Sequence, residues 1–85
     1  MLALGVSPNP VASGGVVRVS VPETGRVRVS VVDVLGREVS VLADGERTAG
    51  THDVALDAGR LAPGVYVVRV TVGRETVARR VTVAR

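Results

Sequence analysis

The 85-residue chain has no Cys, no Lys, no Trp and no Phe, and it carries one Tyr and one His. Without Cys there is no disulfide, no thiol nucleophile and no cysteine-bound zinc or iron–sulfur site. With Tyr66 as the only ring of its kind, a sugar-stacking platform of two or three aromatics is beyond its means. No apolar run approaches the roughly 18–20 residues that cross a bilayer, so a soluble domain without a transmembrane segment is expected. Charge of one sign is also thin. The formal net charge is +3, too weak to argue for nucleic acid as a partner. All 11 basic residues are Arg, and Arg18, Arg26, Arg28, Arg69 and Arg74 lie scattered among Glu and Asp. Complete use of Arg fits a GC-rich or thermophilic source better than selection for one basic surface.

Hydrophobic residues make up 46% of the chain and mean hydropathy is +0.34, which excludes a disordered tail. The length allows one domain, residues 1–85, burying about 60–65% of the surface of its unfolded chain. Valine dominates, at a spacing of two. Val17, Val19 and Val21 alternate with Arg18 and Ser20; Val27, Val29 and Val31 alternate with Arg26, Arg28 and Ser30; Val81 and Val83 flank Thr82. Such alternation gives strands with one dry and one wet face, and β-branching favours the same state. No window sustains the i, i+3, i+4, i+7 spacing of a helix.

Turn signals separate the valine runs at Ser7–Pro10, Ser13–Gly15, Pro22–Gly25, Val34–Gly36 and Gly73–Arg74. Asp44-Gly45 and Ala49-Gly50 bracket a longer expected loop, and Asp57 to Gly64 another. The intervals predict seven strands, at about 2–6, 15–21, 26–34, 37–43, 51–57, 64–72 and 75–84. The fold expected is all-β, an immunoglobulin-like antiparallel β-sandwich without substantial helix, with a small open barrel as the alternative. Arg79-Arg80 breaks the period of two, implying a bulge or a change of face there.

Four segments, Ser7–Pro10, Asp33–Val39, Ala49–His52 and Leu61–Val70, come in an order and spacing that resembles a family. It is the C-terminal sorting domain of the type IX secretion system, or Por secretion tail, of Bacteroidota and relatives. The likeness runs from about Val6 to Arg85. The immunoglobulin-like part of the flagellar hook-capping protein resembles the same DVLGREV and GVY stretches. Membership implies a non-catalytic module of a larger exported protein, recognised by the outer-membrane translocon. It also implies a sortase-like peptidase as partner, attachment to anionic lipopolysaccharide, a cell-surface or secreted location and no cofactor. Positions matching the family's terminal export signal are Arg79, Arg80, Val81, Val83 and Arg85; Gly36, Arg37, Gly64 and Tyr66 fall in its other motifs. The chain departs from the family's aromatic or Lys-rich flavour around the sixth and last strands.

Each of these residues also has a plain structural reading. Gly36 supplies the backbone of a bulged turn with Arg37 solvated. Tyr66 anchors the core, its hydroxyl bonded near a loop. Asp44, Asp53, Asp57 and His52 match no calcium-loop spacing, and Asp57 suits a turn start. Ser40, His52 and Asp53 make a triad on paper only, because neighbouring strand residues point to opposite faces. Enzymatic activity is therefore not expected. Met1 to Gly5 lacks a basic n-region, so it does not read as a signal peptide, and Met1 is expected to be an introduced start. Two further readings stand beside sorting: an accessory carbohydrate-binding module of a secreted enzyme, and a structural immunoglobulin-like domain.

Overall fold

The computed structural model describes residues 1–84 and is all-β. Seven strands form two antiparallel sheets: β1 (Ala3–Ser7), β2 (Gly14–Val21), β3 (Gly25–Val32), β4 (Glu38–Arg47), β5 (Gly50–Asp57), β6 (Gly64–Val72) and β7 (Glu75–Val83). One sheet has the order β1-β2-β5, the other β4-β3-β6-β7. The expected sandwich is what the chain builds.

The valine alternation sorts side chains between the layers and the outside. Val17, Val19 and Val21 of β2 and Val27, Val29 and Val31 of β3 turn to the interior, and all six are buried. Leu4, Leu56, Val68, Val70, Val81 and Val83 complete the inner faces, and Leu2, Val11 and Ala58 close the ends. Burying branched aliphatics in this way contributes about 1.5–3 kcal/mol each, the main term holding the layers together. The polar partners Arg18, Arg26 and Arg28 stand outside.

Two expectations need correction. Asp44-Gly45 is not a loop: β4 runs on to Arg47, with Arg28 opposite Asp44 and Val27 opposite Gly45, and only Thr48 and Ala49 lead into β5. The cross-strand Arg–Asp pairing and continued ladder outweigh the local turn preference. The Asp57–Gly64 loop contains a short 3-10 turn, Ala58–Arg60, begun as expected by Asp57, whose Oδ1 accepts the Gly59 N–H at 3.2 Å. Finally, β7 neither bulges nor changes face at Arg79-Arg80. Its register with β6 is unbroken from Glu75 to Val83. Arg79 simply takes an inward position, opposite Val68, on a strand at the sheet's edge, where its side chain stays exposed. The bulges lie in β4 instead, where Leu42 and Val39 are the extra residues opposite Val29/Ser30 and Val31/Val32.

Candidate functional site

The Asp33–Val39 segment folds as the β3–β4 turn. Asp33 organises it. Its Oδ1 accepts the N–H groups of Leu35 and Arg37, each at 2.9 Å, while its Oδ2 accepts Nε of Arg37 at 2.9 Å. The Arg37 N–H bond, helped by the guanidinium and the Leu35 N–H, holds the Asp33 carboxyl below the usual carboxylate range. Gly36, at φ 82°, allows the chain to turn back here. Arg37 is therefore tied to its own turn rather than merely solvated. The tip it supports presents Val34 and Leu35 to solvent.

On the outer face of the four-stranded sheet, Glu38 accepts both terminal nitrogens of Arg28, at 2.6 and 2.7 Å, with Arg69 3.8 Å away. The Arg28 bonds set the Glu38 carboxyl below its ordinary range, and the Glu38 bond raises Arg28 in turn. Asp44 pairs with Arg26 at 2.9 Å. On the other sheet Arg18 and Asp53, directly opposite in register, pair at 2.9 Å, and that bond lowers the Asp53 carboxyl. All are exposed pairs, screened by water, that order the surface more than they stabilise the fold.

Tyr66 lies in the core, its hydroxyl donating to the Ala62 carbonyl at 2.6 Å. This is the anchor expected of it, a tyrosine corner that fixes the entry into β6. Gly64 begins the same strand. Val81 and Val83 point inward and are buried, whereas Arg79 and Arg80 are exposed. Arg85 lies outside the described residues.

One constellation was not legible from local patterns. The Asn9 side chain lies against β7, donating from Nδ2 to the Arg80 carbonyl and accepting the Thr82 N–H at Oδ1, both at 3.1 Å. Val11 continues the contact, donating to the Thr82 carbonyl at 2.8 Å and accepting the Ala84 N–H at 2.9 Å. Asn9–Val11 is thus a rudimentary fifth strand, parallel to the end of β7, in which a side-chain amide stands in for a peptide group. The structure brings Ser7–Pro10 and the terminal strand together, with Tyr66 opposite Val81 beneath them. The Asp33–Arg37 turn is a separate feature.

Candidate chemistry is sparse. His52 and Asp53 point to opposite faces; the ring Nε2 lies 2.7 Å from the Thr48 carbonyl and the carboxylate is held by Arg18. Among the described residues, no group of three or more His, Asp or Glu side chains converges to hold a metal ion. The depressions are shallow, such as a trough of about 370 Å³ on the outer face of the three-stranded sheet, lined by Gly5, Val16, Arg18 and Asp53 among others. Among the described residues, no helix is long and apolar enough to cross a membrane.

A search of curated proteins finds no match to this chain. The family profile described as the secretion system C-terminal sorting domain, the Por secretion tail, matches residues 5–84.

Proposed function

The chain belongs to the secretion system C-terminal sorting domain family, and on that premise we propose that it directs an attached protein through the outer membrane by the type IX machinery. The match over residues 5–84, nearly the whole fold, carries this reading. The domain's message is a folded surface; its own side chains perform no chemistry in the process. In this reading Arg79 and Arg80, exposed on β7, touch the translocon, with Arg85 beyond them. Val81, Val83 and Tyr66 serve from below by fixing the strand that displays them. The Asp33–Arg37 turn, with Gly36, Arg37 and its apolar tip, is a second contact surface, and Gly64 supports the start of β6. The exported protein then meets a sortase-like peptidase and is retained at the cell surface on anionic lipopolysaccharide.

The carbohydrate-binding alternative finds little support, since the sole aromatic ring is buried in the core. The test is a fusion of this domain behind a reporter that carries its own inner-membrane export leader, expressed in a bacterium with an intact type IX system. The reporter is expected outside the cell or on its surface, and in the periplasm when the translocon is deleted. Periplasmic retention in both strains overturns the proposal.

A further inference from the structure

The outer edge of β7 is paired along only half its length. In an antiparallel pair, alternate residues point their N–H and C=O groups toward the partner and the others point them away. Thr82 sends both groups outward, to Asn9 and Val11, and the register with β6 is unbroken. Arg80, Ala78 and Thr76 therefore face outward too. Asn9 covers the Arg80 carbonyl and reaches no further. Among the described residues, the N–H groups of Thr76, Ala78 and Arg80 and the carbonyl of Thr76 meet no backbone partner. The Ala78 carbonyl is occupied only by a flexible terminal nitrogen of Arg79, at 3.2 Å. Thr76, Ala78, Arg79 and Arg80 are all exposed.

The remaining edges are interrupted, short or without a free charge. β4 carries two bulges, β1 is five residues long, and the acidic residues of β5 are taken by Arg18 and Arg60. Among the described residues, only β7 joins a regular, partly unpaired backbone edge to unpaired charge. Among the described residues, neither Arg79 nor Arg80 has a carboxylate in ion-pair range. The single acidic residue of the strand, Glu75, sits at the hairpin end.

We propose that the Thr76–Arg80 edge of β7 is a docking edge for an extended, acidic segment of a partner protein, which adds to the sheet as a strand continuing the line begun by Asn9–Val11. This rests on the sorting reading and states how the recognised surface is read. Backbone bonds would supply the pairing, and two neighbouring carboxylates on the segment would meet Arg79 on one face and Arg80 on the other. A carboxylate drawing Arg79 away also frees the Ala78 carbonyl, so acidic character and strand pairing act together. Charge argues against a second copy as the occupant, because pairing two β7 edges gathers four arginines with no carboxylate between them. Arg79, an inward-directed charge on an edge strand, is also a recognised device against such self-pairing.

The test uses the isotope-labelled whole chain, titrated with synthetic peptides of about eight residues in which pairs of adjacent Glu, or pairs of adjacent Lys, are separated by Thr. With the Glu peptide, shift changes and slowed amide exchange are expected at Thr76, Ala78 and Arg80, and the Lys peptide should leave them unmoved. Ala78→Pro removes an outward N–H that no ladder bond uses, so the fold should hold while binding is lost. The Arg79→Glu/Arg80→Glu double variant should bind the Glu peptide about tenfold more weakly and respond to the Lys peptide. No response at about 1 mM peptide, an equal response to both peptides, a response confined to another edge, or self-association through β7 overturns the proposal. Export separates this from the sorting reading. If the unaltered domain exports its reporter and both variants do so equally, the docking edge falls and sorting stands. If the unaltered domain fails to export, sorting falls, and the titration still decides whether the edge accepts an acidic strand.

Discussion

Replacing Tyr66 with Phe removes one oxygen and leaves the ring where it is. The lost interaction is the 2.6 Å hydrogen bond to the Ala62 carbonyl. A neutral hydrogen bond of this kind contributes about 0.5–1.5 kcal/mol net, and more when the abandoned partner is left dry. Ala62 is exposed, so water can reach its carbonyl, which places the expected loss near 1 kcal/mol. For a domain of this size that corresponds to a fall in Tm of roughly 4–8 °C. With a urea slope of about 1–2 kcal/mol per molar, the midpoint should fall by about 0.5–1 M. Tyr66→Ala also removes the buried ring, a change that typically costs about 3–5 kcal/mol. Total stability for 85 residues is on the order of 4–13 kcal/mol, so that variant should be marginal or unfolded. Urea unfolding followed by far-ultraviolet circular dichroism ranks the three proteins without relying on the tyrosine signal. A Phe variant indistinguishable from the parent would show that the corner bond contributes nothing. A Phe variant as damaged as the Ala variant would show that ring and hydroxyl do not act separately.

Further expectations follow from the same geometry. Gly15→Ala should be costlier than its open strand position suggests, because the new Cβ would lie 3.0 Å from the Ser7 carbonyl oxygen and 3.2 Å from Val11. A loss of about 1–3 kcal/mol and faster amide exchange at Thr82 and Ala84 are expected, with unchanged exchange there counting against the packing described. Gly36→Ala meets no atom within 4 Å, so only its φ of 82° resists, and a loss of about 1–2 kcal/mol without change at β7 is expected from urea unfolding. Acid should destabilise the fold. The carboxyls of Asp33, Glu38 and Asp53 lie lower in the folded than in the unfolded chain, so their contribution is complete above the ordinary carboxylate range. It is lost as pH falls through the lowered values, where the unfolded chain binds more protons. The urea midpoint should drop between about pH 6 and pH 3, less steeply in Glu38→Gln, and a flat profile would refute the pairing scheme.

Much of this architecture could be read from the residues, and the failures have physical causes. Period-two valines placed β2, β3 and the end of β7 with the correct faces, since one-sided burial leaves its mark on every second residue. The sequence pattern ends β4 early because it is disturbed twice, at Val39 and Leu42, and because Asp44-Gly45 resembles a turn. Its true length is set by pairing with β3, a tertiary effect. Arg79 misled for a related reason: inward parity normally means burial, but at a sheet edge it can open to solvent. Tyr66 was legible in role, if not in partner. Asn9 was not, because its contacts on Arg80 and Thr82 lie 71 and 73 residues away. Asp33 was within reach, since a short acidic side chain before Gly36 is the usual organiser of such a turn.

The central claim is that this fold is itself an address for outer-membrane export, and domain replacement tests it most directly. In a type IX-competent bacterium, this chain would be substituted for the sorting domain of a protein already known to be exported, and the cargo followed by cell fractionation. Cargo is expected on the surface or in the medium, at a level well above that of the same protein lacking any sorting domain. Cargo left in the periplasm beside a correctly folded domain would contradict it.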